Sequence, residues 1–192
     1  RALTRNELYQ GLLDDSLIKN KIDNFIERDK MAPGMVLAIG TPHHRQILTV
    51  GNQQEIDDNG LSYEIKMQEH SIFDLSSVTK IFTCIVVLQL IKEQIIKIDS
   101  KIGQLDKRFK YLQDVTIKDL LSFRVPLRTD DRIENALSYE DAEYLILNIK
   151  PDYTQSRLYT DMGAIVLSYV VESVTGTDLY NLVRKYILDP CD

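Results

Sequence analysis

Ser77 and Lys80 have the residue types and the spacing of a serine nucleophile and its base. Residues three apart on a helix share a face, so the lysine amine can reach the serine hydroxyl and accept its proton. The same spacing occurs at Ser16 and Lys19, but a heavily charged helix explains those two as a capping serine and a solvated lysine. Lys80 stands at the head of an apolar helix, where burial is expected to lower its pKa and make it a usable base.

Hydrophobic periodicity predicts the helices and strands that could position Ser77 and Lys80. Apolar residues recur at helical spacing in residues 16–30, with Ser16 placed as an N-cap, and two short β-branched runs predict a strand pair. Apolar residues on nearly every face predict that the helix after Ser77 is buried on most sides. The predicted strands are 35–39 and 47–50, and the later predicted helices are 77–96, 116–123, 139–149, 162–174 and 177–188.

All clear strand patterns lie in the first third of the chain, so the fold class expected is α+β. Residues 1–75 should form the helix and strands of an antiparallel sheet lobe, and residues 76–192 a mainly helical lobe, with Ser77 at the seam between them. Two or three strands are too few to cover a buried sheet. We therefore expect the sheet to have an exposed edge, through which the chain could associate with itself.

Composition narrows the classes of function. The 192 residues are 44% hydrophobic and 27% charged, which is typical of a globular protein with a packed core. A net charge of −6 without a basic run argues against nucleic acid as a partner. Cys84 and Cys191 are too few for a disulfide framework, and neither they nor the three histidines have metal-ligand spacing. Neither a metal nor another cofactor is expected, and the apolar run 81–91 is about half the roughly 20 residues of a membrane span.

The surroundings of Ser77 resemble a known family. The stretch 73–83, FDLSSVTKIFT, is similar to the nucleophile region of the serine β-lactamase and penicillin-binding-protein superfamily, which includes class C β-lactamases, D-alanyl-D-alanine carboxypeptidases and related esterases. The segments 32–36 and 115–122 resemble the first strand and a later helix of that family, in the same order. The resemblance implies a β-lactamase/transpeptidase-like fold and extracytoplasmic work at the cell envelope.

The family's second motif is Tyr-x-Asn or Ser-x-Asn, and two triplets come close. Tyr139-x-Asp141 begins an ordinary amphipathic helix, whereas Tyr159-x-Asp161 matches the family in position and flanking residues. The resemblance implies that Ser77 attacks an amide or ester carbonyl of a small-molecule or peptide substrate, with Lys80 as base and Tyr159 sharing the proton transfer. Asp161 stands where asparagine is usual, so it could accept a hydrogen bond from Lys80 or a substrate amide but could not donate one while ionised.

Two further departures from the family keep other functions open. The segment 123–127, FRVPL, stands where the family commonly has His-Thr-Ser-Gly-Leu. The family's third motif, Lys-Thr-Gly or His-x-Gly on a strand, has no counterpart in this chain. The resemblance therefore implies that the chain corresponds to the N-terminal part of a family domain. The first hypothesis is a serine acyl hydrolase: a D-alanyl peptidase, a β-lactamase or an esterase. The alternatives are a non-catalytic relative that binds cell-wall peptide or a protein, and an inactive truncated fragment.

Overall fold

A computed structural model describes residues 15–28, 30–41, 44–53, 59–60, 65–154 and 158–191. The chain divides into two compact units, residues 1–74 and residues 75–192. No helix within the described ranges is long and apolar enough to cross a membrane.

The first unit begins with helix α1, Asp15–Asp23, which continues as a π-helical turn, Asn24–Arg28. Ile18, Ile22 and Ile26 are buried because residues four apart fall on one face of a helix. This confirms the predicted helix but not its start, since the helix already includes Asp15 and Ser16 is not its N-cap.

Two strands follow as an antiparallel hairpin, β1 (Gly34–Thr41) and β2 (His44–Gly51), in register from Gly34 opposite Gly51 to Thr41 opposite His44. The predicted strand pair is confirmed, but both strands extend further than the predicted 35–39 and 47–50 into the residues between them, of which 42–43 lie outside the described residues. Among those that are described, a single bridge from Asn52 to Lys66 is the only further pairing in this unit. The predicted self-association through a free edge remains a prediction.

Gly51 ends β2 in a conformation that requires glycine. Its φ is +77°, and a Cβ atom there would lie 2.3 Å from the carbonyl oxygen of Pro33. The chain can therefore turn closely past Pro33 only because Gly51 has no side chain.

The second unit is built around two long helices, α2 (Thr79–Lys92) and α6 (Met162–Thr175), which pack against each other. Burial of an aliphatic side chain contributes about 1.5–3 kcal/mol. The core residues that α2 and α6 contribute are Val86, Val87, Leu90, Val166, Leu167, Val170 and Val171.

Helix α2 is nevertheless exposed along one face in this chain. Ile81 and Leu88, which are seven residues apart and share that face, are 55% and 53% exposed, respectively, whereas most residues on its other faces are buried or half-buried, as predicted. The apolar pattern predicts that burial is favourable on nearly every face, but it does not show which face lacks a packing partner among these residues.

Three of the shorter helices of the second unit start at side-chain caps that satisfy free backbone N–H groups. Thr116 and Asp119 form a capping box at α4 (Ile117–Leu121), and Ser138 and Asp178 cap α5 (Tyr139–Leu147) and α7 (Leu179–Val183). Gly176, with a φ of 67°, ends α6. The other short helices are α3 (Ile102–Leu105) and α8 (Asp189–Cys191), with a π-helical turn Arg184–Leu188 before α8.

A second, two-stranded sheet pairs β3 (Leu127–Arg128) with β4 (Lys150–Pro151). The expectation that strands are confined to the first third of the chain was therefore wrong, because two-residue strands are too short to show an alternating pattern. An ion pair between Lys150 and Asp130, 2.8 Å long, joins the loop after β3 to β4.

Candidate active site

Ser77 and Lys80 lie together at the start of the central helix. Ser77 is in a 3₁₀ turn, Ser76–Val78, that runs directly into α2. Lys80 is one turn further on, and its Nζ donates a hydrogen bond to the Ser77 Oγ at 3.0 Å. The structure thus brings the two residues into the contact that their spacing predicts, while Ser77 itself remains exposed.

The backbone around Ser77 has two features that the sequence did not indicate. Ser76 has a φ of 45°, a left-handed conformation that is uncommon for residues other than glycine and that tends to occur at functional sites. The N–H groups of Val78 and Thr79 donate to the carbonyl oxygens of Leu75 and Ser76, so they are not spare donors for an oxyanion.

Tyr159 comes to this pair from the segment that precedes α6. Hydrogen bonding to Ser77 and then to Lys80 lowers the pKa of Tyr159 below its usual value. The Lys80 Nζ lies 4.9 Å from the centroid of the Tyr159 ring. Tyr139, the other tyrosine considered, is the first residue of α5, and its hydrogen bond with Tyr169 contributes, after burial, to raising the pKa of Tyr169 to about 12. Tyr159 is therefore the tyrosine that contacts Ser77.

Asp161 forms an ion pair with Lys80. It occupies the N-cap position of α6, where aspartate usually accepts from backbone N–H groups, yet its side chain makes no capping hydrogen bond. The Asp161 carboxylate raises the pKa of Lys80 more than burial lowers it, although the lysine side chain is only 16% exposed. The lowering of the Lys80 pKa by burial that the apolar helix predicts is present, but the hydrogen bond to Asp161 outweighs it, so the net shift is upward.

Phe123 supplies an aromatic neighbour that the sequence analysis missed. Its ring stacks on Tyr159 with centroids 5.1 Å apart and an interplanar angle of 29°. Phe123 follows α4 with a φ of 53°, and the N–H groups of Phe123 and Arg124 donate to Leu120 and Asp119. This is the Schellman arrangement, in which glycine is favoured at the Phe123 position and any other residue costs about 1–2 kcal/mol. The sequence signal was the altered 123–127 segment, but nothing in it indicated a contact with Tyr159.

An open cavity of about 420 Å³ lies beside Thr160, whose neighbours in the chain, Tyr159 and Asp161, contact Lys80 but do not line the cavity. Residues 127–132, the end of β3 and the loop that follows it, line the cavity together with Thr160 and Met162. The Thr160 Oγ1 accepts a hydrogen bond from the N–H of Met162 at 3.3 Å, which fixes this wall.

The remaining titratable side chains form no second centre in the described part of the chain. No group of three or more His, Cys, Asp and Glu residues in that part could hold a metal ion. His70 is exposed, and the side chains of the other two histidines, His43 and His44, lie outside the described residues. Both cysteines are free thiols, and burial raises the pKa of Cys84, which disfavours its reactive thiolate.

Comparisons with known proteins identify the family and the fold. The beta-lactamase family model matches residues 21–192. No curated protein matches the chain at a significant level. Among solved structures, FmtA from Staphylococcus aureus is similar with a TM-score of 0.69 and 23% identity, over 92% of this chain and 49% of that one.

Two further solved structures have the same fold. A class C beta lactamase from Rhodobacter sphaeroides has a TM-score of 0.68 and 14% identity, over 91% of this chain and 48% of that one. The octameric penicillin-binding protein homologue from Pyrococcus abyssi has a TM-score of 0.69 and 17% identity, over 92% and 43%. The chain thus spans about half the length of these structures, and the α+β fold is β-lactamase/transpeptidase-like. Because the family model covers most of its residues, the chain belongs to the beta-lactamase family.

Proposed function

We propose that this protein is a serine acyl hydrolase in which Ser77 forms an acyl-enzyme with an amide or ester substrate. The observation that carries the proposal is the cluster at Ser77, whose Oγ accepts a hydrogen bond from Lys80 at 3.0 Å and hydrogen-bonds with Tyr159. A nucleophile within hydrogen-bond reach of groups that can move its proton is the arrangement that acyl transfer requires. Membership of the beta-lactamase family supports the same chemistry.

The charge states of Lys80 and Tyr159 favour a particular path for the proton. A lysine with a raised pKa is an ammonium at neutral pH and cannot accept a proton. A tyrosine with a lowered pKa has a larger phenolate fraction, which the ammonium of Lys80 stabilises. We therefore assign the first proton transfer to Tyr159, with Lys80 in the electrostatic role, which exchanges the roles that the sequence predicted for these residues.

The steps then follow from this assignment. The Ser77 Oγ bonds to the carbonyl carbon as its proton moves to the Tyr159 oxygen, and the carbonyl oxygen becomes an oxyanion. The tetrahedral intermediate collapses when the bond to the leaving group breaks, and Tyr159 returns the proton to the leaving amine or alcohol. A water molecule then hydrolyses the acyl-enzyme by the reverse sequence and regenerates Ser77.

The substrate is an amide or ester of the kind that this superfamily takes: a D-alanyl peptide, a β-lactam or a small ester. The cavity beside Thr160 offers room for a substituent of the substrate. Asp161 can accept a hydrogen bond from a substrate N–H group but cannot donate one while ionised. The work of the family at the cell envelope leads us to place this protein there, and the mechanism requires neither a metal nor another cofactor.

A second candidate is a non-catalytic relative that binds cell-wall peptide or a protein partner. The observation that favours it is the Asp161–Lys80 ion pair, because a lysine held as an ammonium is a poor general base. The two candidates differ in one property, which is whether Ser77 becomes acylated.

Intact-mass analysis and peptide mapping after treatment with a labelled penicillin or a fluorophosphonate test the proposal. The measurement is made on this chain and on the protein in its full natural length, with Ser77→Ala as the control. We expect one adduct on the peptide that contains Ser77, which the Ser77→Ala variant lacks. An adduct only in the longer protein would show that further residues complete the site, and the absence of an adduct in both would favour the binding protein.

A further inference from the structure

Tyr159 is poorly held by burial, because its side chain is 62% exposed. The ring stack with Phe123 is the aromatic contact that restricts its orientation. We infer that Phe123 is a positioning residue for proton transfer at Ser77 and acts by holding the Tyr159 hydroxyl against Ser77 and Lys80. This inference deepens the proposed function and rests on it.

The backbone beneath Phe123 is fixed at both ends of α4. The capping box of Thr116 and Asp119 sets the start of this five-residue helix, with the Thr116 Oγ1 donating to the Asp119 carboxylate at 2.6 Å. The Schellman hydrogen bonds, which include that from Arg124 N–H to the Asp119 carbonyl at 3.0 Å, set its end. The direction of the Phe123 ring is thus determined by a short, rigid element.

The helix that follows Tyr159 is held close to that element. Gly163 in the first turn of α6 is buried, and a Cβ atom there would lie 3.5 Å from the carbonyl oxygen of Leu120 in α4. The segment with Tyr159 and the turn with Phe123 are therefore anchored to one another through α4 and α6. The ring stack therefore joins two segments that are each held in place by helix packing.

The conformation of Phe123 argues for a role of its side chain. A left-handed position after a helix is occupied by glycine at no steric cost, whereas a bulky residue there is strained. Strain of this kind persists where the surrounding structure holds it, and it is concentrated at functional sites. Phe123 is itself the strained residue, and its ring stacks on Tyr159. Glycine would relieve the strain but could not supply this ring.

The test compares four single variants in the full-length protein: Phe123→Gly, Phe123→Ala, Phe123→Tyr and Gln94→Gly. The rate of Ser77 acylation by a fluorophosphonate is measured as a function of pH. We expect Phe123→Gly and Phe123→Ala to acylate roughly three to ten times more slowly, which is the range of one aromatic pair, and Phe123→Tyr to restore the rate. Thermal melting of each variant verifies that it is folded.

Gln94→Gly is the matched control for the backbone. Gln94 follows α2 with a φ of 60°, and the same two hydrogen bonds close its turn, from Gln94 to Ile91 and from Ile95 to Leu90. Glycine relieves the same strain at Gln94 and at Phe123, but only the second substitution removes a ring from Tyr159. Gln94→Gly should therefore raise the melting temperature and leave the acylation rate unchanged.

A further readout separates this inference from the proposed function. The ionisation of Tyr159 is followed by ultraviolet absorbance as the difference between the wild-type protein and Tyr159→Phe. We expect Phe123→Gly to raise the pKa of Tyr159, because a mobile ring loses hydrogen bonds to Ser77 and Lys80. In the Tyr159→Phe background, the same substitution should no longer slow acylation.

Each outcome has one meaning. If the wild-type protein acylates and Phe123→Gly does so at the same rate, the positioning role is wrong while the proposed function stands. If the wild-type protein is not acylated at Ser77, the proposed function is wrong, and the Tyr159 titration alone decides whether Phe123 positions the tyrosine. An unchanged pKa of Tyr159 in Phe123→Gly would then overturn the inference.

Discussion

Asp161 lies at the N-cap of α6, yet its carboxylate pairs with Lys80 on α2 instead of capping its own helix. The ion pair joins the two long helices at the point where Ser77 and Tyr159 meet. It also raises the pKa of Lys80, because the hydrogen bond to the carboxylate outweighs the desolvation of the lysine. In the proposed mechanism, the departure from the family's usual asparagine therefore alters the ionisation of the groups that transfer the proton.

Asp161→Asn should shift the pH dependence of Ser77 acylation. Loss of the carboxylate removes the largest influence that raises the pKa of Lys80 and also removes a charge that raises the pKa of Tyr159. Both pKa values fall, so the unprotonated forms that accept a proton are populated at lower pH. The acylation rate should therefore begin to rise at lower pH than in the wild-type protein.

Asp114→Asn is the control for that change. Asp114 pairs with Lys101 at 2.7 Å on the surface, and breaking this pair removes an equal charge outside the site. An Asp161→Asn profile that overlays those of the wild-type protein and Asp114→Asn would show that Asp161 does not set the ionisation of the site.

Tyr159→Phe should slow acylation of Ser77 by about 10²–10⁴-fold, the usual contribution of a general acid–base group. Because the Tyr159 side chain is 62% exposed, loss of its hydroxyl should leave the thermal stability almost unchanged. Tyr144→Phe provides the comparison, since Tyr144 is 65% exposed on α5. Equal rates for the two variants would remove Tyr159 from the mechanism.

Thr116→Ala should destabilise the second unit by about 1 kcal/mol. The substitution removes the capping box in which the Thr116 hydroxyl accepts from the Asp119 N–H and donates to the Asp119 carboxylate. Urea unfolding measures the loss, and Lys118→Ala, an exposed change within the same helix, should have little effect. If the two variants had the same urea midpoint, the capping box would contribute nothing to the free energy of unfolding.

Gly51→Ala should destabilise the first unit more than Gly60→Ala. Both glycines have a φ of +77°, which strains an alanine by about 1–2 kcal/mol. At Gly51 the new Cβ would also meet backbone, at 2.3 Å from the Pro33 carbonyl oxygen, whereas none of the described residues lies within 4 Å of a Cβ at Gly60. Denaturant unfolding of both variants should give Gly51→Ala the lower free energy of unfolding. Equal losses of stability in the two variants would mean that the chain turns past Pro33 without close contact.

Local pattern was sufficient for much of this fold. The isoleucines of α1, the β-branched runs of β1 and β2, and Gly176 after α6 each indicate an element through spacing within a few residues. Ser77 and Lys80 were predicted to meet for the same reason, since a helical spacing of three brings them together whatever the rest of the chain does. The two-residue strands β3 and β4 were missed because they are too short to carry a pattern.

By itself, therefore, the sequence determined the family resemblance, the α+β class and the pairing of Ser77 with Lys80, all of which depend on residues close together in the chain. The sequence left open whether Asp161 meets Lys80 or a substrate amide, and tertiary structure decided for Lys80. It also decided that Phe123 stacks on Tyr159 and that α2 is exposed along the face of Ile81 and Leu88. These contacts join residues far apart in sequence, so they follow from how helices pack and turns are closed. The pKa of Lys80 is raised for this reason, because its hydrogen bond to Asp161 outweighs the desolvation of the lysine on its apolar helix.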